Sequence, residues 1–114
     1  MDRSRSRYSG VDEVLGLTDT HAHLSFVAER GPADVLVRIA DAYHRSGAMI
    51  LDPGVEYDDF AGRVAAFGDL PFVRFAAGIW PDSDSMLDIE RRVQVLESSI
   101  ADRRCVAVGE CGLD

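Results

Sequence analysis

The chain has 114 residues, 46% of them hydrophobic and 28% charged, with a formal net charge of −8; that is the profile of one small soluble domain. No apolar run approaches the roughly 20 residues of a membrane helix, and the acidic balance argues against broad binding to duplex DNA, which needs basic surface. All 12 basic residues are arginine, so a lysine nucleophile, a Schiff base and a modified-lysine metal bridge are excluded for this chain.

Residues 1–15, rich in Arg and Ser, are expected to form a flexible N-terminal extension ahead of a domain spanning 16–114. They lack the apolar core of a secretory signal, and Asp2, Asp12 and Glu13 argue against a mitochondrial presequence. A first strand is expected over Gly16–Thr20, leading into the His-Ala-His of residues 21–23. A first helix is expected over Pro32–Ser46, with Pro32 in its first turn and Gly47 as its stop. Its apolar stripe is Val35, Leu36, Ile39, Ala40 and Tyr43. The second strand is Ala48–Gly54, where Asp52 before Pro53 reads as a turn residue. A short second helix covers Asp58–Phe67, with Asp58 as its N-cap. The third strand is Phe72–Pro81. A third helix is expected over Ser85–Arg103, started by a Ser-Met-Leu-Asp cap and packed through Met86, Ile89, Val93, Leu96 and Ile100. The fourth strand is Cys105–Glu110.

Several of these strands are apolar at consecutive positions, as strands covered on both faces are. The order β-α-β-α-β-α-β therefore implies an α/β fold of parallel strands with right-handed helical crossovers. Cys105 and Cys111 lie six residues apart on the last strand, about 20 Å if extended, too far for a disulfide. Both read as reduced cysteines of a cytoplasmic protein, Cys111 as a small buried residue.

His21 and His23 are two of only three histidines. Two positions apart on an extended segment, they face the same way and can converge on a metal ion. His-x-His also occurs in ordinary strands, so spacing alone leaves both readings open. His44, on the first helix, reads as a structural or surface residue. Glu110 follows Val-Ala-Val-Gly at the C-terminal end of the last strand. A carboxylate there needs a cation or donors to compensate its burial; the competing reading is a solvated loop between Gly109 and Gly112. In a parallel α/β sheet the C-terminal strand ends lie on one side, which brings the His pair and Glu110 within reach of each other.

Thr-Asp-Thr-His-Ala-His-Leu at 18–24 and Ala-Val-Gly-Glu-Cys-Gly-Leu-Asp at 107–114, in this order and separation, resemble the TatD-related metal-dependent hydrolases. The resemblance covers roughly Leu17 to Asp114. It implies the first half of a (β/α)8 TIM-type barrel and a centre of one or two divalent ions, zinc, magnesium or manganese. It implies hydrolysis of phosphodiester bonds, deoxyribonuclease-like, at nucleic-acid ends. The family's His pair falls on His21 and His23, and its bridging Glu on Glu110. Asp19 matches the acid commonly found just before the His pair and Asp114 the acid that closes the second motif; each reads either as orienting a ligand from behind or as an ordinary turn residue. Trp80 stands where the family commonly has a His; it cannot ligate a metal but can stack on a base or cover the pocket.

A complete barrel takes about 250 residues, and the family draws two further His ligands and a water-activating Asp from its second half. The 114-residue chain is therefore expected to be incomplete and inactive alone, or completed by a second half-barrel chain. The alternatives are a non-catalytic fragment and an amidohydrolase that cleaves C–N bonds, since His-x-His is shared across that wider group.

Overall fold

The computed structural model of the chain describes residues 17–44 and 46–112. Expectations for residues 1–16 and for Asp114 lie outside the described residues. The elements are α1 (Leu24–Arg30), α2 (Val35–His44), β1 (Ile50–Asp52), α3 (Phe60–Phe67), β2 (Val73–Ala77), α4 (Ile89–Ile100) and β3 (Cys105–Val108). The sheet order is β1-β2-β3, and both pairings are parallel. This is the α/β arrangement of a partial TIM barrel.

Among the described residues the expected first strand shrinks to one parallel bridge, Asp19 with Ile50. Asp19 donates to Met49 O at 3.0 Å and accepts from Leu51 N–H at 2.8 Å; Ala22 donates to Leu51 O at 3.1 Å. The segment thus runs beside β1 as far as Ala22, between the two histidines.

α1 was not expected. It has seven residues, its N-cap is His23 without a side-chain cap bond, and it closes with Gly31 N–H on Val27 O at 2.9 Å. Only Leu24 of it is buried. α2 starts at Val35 rather than Pro32, because residues 32–34 form a turn in which Val35 N–H donates to Pro32 O. Gly47 then stops the helix region with a left-handed φ of 71°, a conformation that suits glycine.

α4 begins at Ile89, four residues later than the sequence suggests. Asp88, its N-cap, is left-handed at φ 48° and makes no side-chain cap bond. That conformation, which Asp tolerates better than most residues, breaks helical continuity with Ser85–Leu87. Met86 is consequently 71% exposed, and Val93 and Ile100 are exposed too. Of the expected stripe, Leu96 packs on the core.

The core joins Ile50, Val73, Phe75 and Ala77 of the strands to Leu24, Phe60, Phe67 and Phe72. Leu36, Ile39, Ala40 and Tyr43 pack on it from α2, as their spacing predicts. β2 is covered as a central parallel strand should be. β3 is not: its burial alternates, with Val106 and Val108 exposed by 55% and 58%. Among the described residues β3 pairs only with β2. Cys105 is half-buried, but Cys111 is exposed, against expectation; both are free thiols. His44 is exposed on the last turn of α2, as expected.

Tyr43 stacks on Phe72 with ring centroids 5.2 Å apart. Burial, and secondarily the Asp19 carboxylate, push its phenol above the ordinary value of 10.0. A folded-state pKa above the unfolded one contributes stability that is whole below about pH 10 and is lost as pH rises through the folded value. The melting temperature of the chain is therefore expected to drop on raising the pH beyond about 10, and Tyr43→Phe to flatten that drop. Equal alkaline slopes in melts of both proteins would refute the assignment.

Candidate metal centre

The expected trio does come together. His21 and His23 sit in the short link between the Asp19 bridge and α1; Glu110 follows β3. The two Nε2 atoms are 3.1 Å apart, and His21 Nε2 lies 2.9 Å from Glu110 Oε1. One ligand atom from each of the three falls within 4.8 Å of the others. The rings of His21 and His23 meet edge to face, 4.9 Å between centroids.

This arrangement fits a cation. His21 Nε2 offers either one proton or one lone pair, so it cannot hydrogen-bond both His23 Nε2 and the Glu110 carboxylate at once. Glu110 Oε2 is buried and has no hydrogen-bond partner, a state that costs about 1–3 kcal/mol and more for a charged group. A divalent ion held by His21, His23 and Glu110 would take the lone pairs of both imidazoles and compensate the carboxylate.

The backbone around the trio is held tightly. His21 N–H donates to Asp19 Oδ1 at 3.0 Å, which places Asp19 behind the His pair. Gly109 N–H donates to Ala77 O at 2.9 Å, fixing the approach to Glu110. Trp80 stands beside the site, its ring 6.3 Å from that of His23. A cleft beneath, lined by Tyr57, Phe60, Arg63, Gly78, Trp80 and Glu110, has a volume of about 10 Å³, room for roughly one water. Of the trio, Glu110 lines this cleft.

Sequence reasoning missed the group that organises the floor. Asp52 is no turn residue: it ends β1, is 1% exposed, and pairs with Arg63 of α3 at 3.2 Å. Arg63, 5% exposed, also donates to Asp52 O at 2.9 Å, to Ala76 O at 2.8 Å, and through Nε to Asp59 Oδ1 at 2.7 Å. The N-cap position belongs to Asp59, not Asp58, which is exposed. The Asp59 carboxylate turns back to accept from Val55 and Glu56 N–H at 2.9 and 3.1 Å. The visible signal was the Asp59–Arg63 pair at i, i+4.

A sequence model of the family described as TatD related DNase matches residues 18–114. That span holds both motifs and all three clustered side chains. The chain belongs to the TatD-related DNase family. No curated protein and no solved structure matches it. TatD-related proteins are hydrolases on a TIM barrel and generally depend on metal, and the parallel strands of this chain are part of such a barrel. Among the described residues no helix is long and apolar enough to cross a membrane.

Gly78 bears directly on the candidate centre. A Cβ there would run into the Gly109–Glu110 backbone, 2.7 Å from the Gly109 carbonyl carbon. Gly78→Ala is expected to displace the Glu110 turn and weaken metal uptake by about 10–100-fold, the usual cost of disturbing a ligand's support. Gly62 on α3 has open space around its Cβ position. Gly62→Ala is the control, expected to leave metal uptake unchanged while improving helix propensity. Calorimetric zinc titration of both variants makes the comparison; equal affinities would show that Glu110 tolerates the shift.

Proposed function

We propose that residues 16–114 form the N-terminal half of a TatD-type hydrolase in which His21, His23 and Glu110 hold one or two divalent ions, zinc, magnesium or manganese. The proposed substrate is a phosphodiester at a nucleic-acid end. The observation that carries this is the convergence of the three side chains around the unpartnered Glu110 Oε2.

When bound, the metal supplies Lewis-acid stabilisation of charge developing on the phosphoryl oxygens. The chain's own residues do the rest. His21 and His23 present Nε2 as neutral donors of electron pairs, so their protons reside on Nδ1. Glu110 would contribute one negative charge against the two of each cation. Asp19 holds the His21 amide and so the angle of the pair; Asp114 is proposed as a further supporting acid. Trp80, beside His23, offers a face on which a terminal base stacks. The charge of −8 favours a short nucleic-acid end over a long duplex track.

With three side chains engaged as ligands, none of them is free to take a proton from the attacking water. Further β/α units, of this polypeptide or a second chain, are proposed to supply that base. Among the described residues β3 pairs on one side, and this, with the exposed Val106 and Val108, supports an extension of the sheet there. The free cysteines support a reducing, cytoplasmic setting.

The test is to titrate the purified 114-residue chain with zinc, manganese and magnesium while following its melting temperature, then to assay end-labelled oligonucleotides. At least one ion is expected to raise the melting temperature, with little or no turnover until the missing β/α units are added. An unchanged melting temperature with every ion would sink the metal centre. Turnover by the chain alone would sink its dependence on further units.

A further inference from the structure

The Asp52–Arg63 pair lies outside the trio, yet it touches the segment that carries both histidines. Asp52 Oδ1 accepts the Leu24 N–H at 3.1 Å. Leu24 directly follows His23, and both Leu24 and Asp52 are 1% exposed. The bond spans 28 residues of sequence.

Its place in the sheet explains its use. Beside β1 the chain is anchored by Asp19 N–H on Met49 O and Ala22 N–H on Leu51 O. After Met49 and Leu51 the next backbone position facing this segment is Pro53, just past Asp52, the last residue of the strand. There the Asp52 carboxylate takes over as acceptor, for an amide that opens α1 and has no intrahelical partner. The other oxygen, Oδ2, is held by Arg63 Nη1 at 3.2 Å. Arg63 in turn is fixed to Ala76 O and Asp59. Ala77, next in β2, accepts from Gly109, the residue before Glu110. One guanidinium therefore connects the supports of both halves of the trio.

We propose that Asp52 is a positioning residue for the His21–His23 pair, acting through the Leu24 amide and kept in place by Arg63. The proposal rests on the metal-centre reading for its consequence, but its mechanical part does not. A plain stabilising ion pair would act on the whole fold alike; a positioning carboxylate acts on the histidine link first.

The experiment compares the full 114-residue chain with Asp52→Ala, Asp52→Asn and Asp59→Asn, reading metal-free melting, zinc affinity by calorimetry, and amide exchange by NMR. In the unsubstituted protein the Leu24 amide is expected to exchange far more slowly than that of exposed Ser25. Asp52→Ala is expected to weaken zinc binding about 10–100-fold and to release the Leu24 amide. Asp52→Asn keeps an oxygen for Leu24 and is expected to restore most of the affinity despite losing its charge. Asp59→Asn removes the other carboxylate on Arg63; it is expected to lower the melting temperature and leave zinc affinity nearly unchanged.

Zinc losses that track melting temperature across all three variants would overturn the proposal. So would a Leu24 amide that exchanges as fast as that of Ser25 in the unsubstituted chain, a readout that holds even if Asp52→Ala fails to fold. A chain that takes up no zinc but loses Leu24 protection in Asp52→Ala and keeps it in Asp52→Asn would refute the metal centre and uphold the positioning role.

Discussion

Replacing Arg63 with methionine is expected to cost about 3–5 kcal/mol of folding stability, the cost of leaving a buried charge without its partner. Asp52, 1% exposed, would lose its cationic partner, and Asp59 its guanidinium at 2.7 Å. Ala76 O and Asp52 O would lose donors as well. Methionine roughly fills the space and keeps contact with the Phe60 and Phe75 rings, which now lie 5.6 and 6.0 Å from the guanidinium carbon, so packing loss is small beside the electrostatic loss. For a domain of this size about 1 kcal/mol moves the melting temperature by about 4–8 °C, and total stability is only about 5–15 kcal/mol. The variant is therefore expected to sit near the edge of folding. Adding Asp52→Asn should recover part of the loss, because the stranded charge is gone. Urea melts of the three proteins decide it. A single variant within about 1 kcal/mol of the parent would mean that water reaches Asp52 and the pair is less buried than its geometry states.

Which features were legible in the sequence follows from how local their cause is. The His pair and Glu110 were legible because each motif carries its chemistry within seven or eight residues, and parallel topology alone brings strand ends to one side. β1, β2 and β3 were legible as apolar runs, and α2 as a stripe of Leu36, Ile39 and Tyr43 that packs where its period says. α1 was missed because seven residues carry too little periodicity and His23 offers no cap bond. α4 was started early because Ser85 and Asp88 mimic a capping pattern, whereas the chain spends Asp88 on a left-handed turn. Arg63 was missed for a different reason. In sequence, Asp59 and Arg63 are an ordinary surface pair on a short helix. Only the packing of α3 against β2, and the arrival of Asp52 from β1, make the same guanidinium a buried hub. That is a property of three segments at once, and no window of sequence contains it.

Glu110→Gln is expected to separate folding from metal uptake most clearly. In the metal-free chain the carboxylate leaves Oε2 buried without a partner, so removing its charge relieves a cost, and the melting temperature should hold or rise. With zinc the sign reverses. A ligand at 100 times its dissociation constant stabilises the folded chain by about 2.7 kcal/mol; if affinity falls about 100-fold, the same zinc gives only about 0.4 kcal/mol. The substituted chain should therefore melt at or above the parent without zinc and well below it with zinc. His21→Ala should show the same crossing, because His21, with 54% of its side chain exposed, contributes little to packing. Asp19→Asn retains an oxygen for the His21 amide and should lie between the parent and these two. If instead Glu110→Gln lowers the metal-free melting temperature and leaves the zinc shift intact, Glu110 serves as a structural acceptor for His21. The trio would then be a hydrogen-bonded latch between the start of α1 and the end of β3, with the cation bound elsewhere.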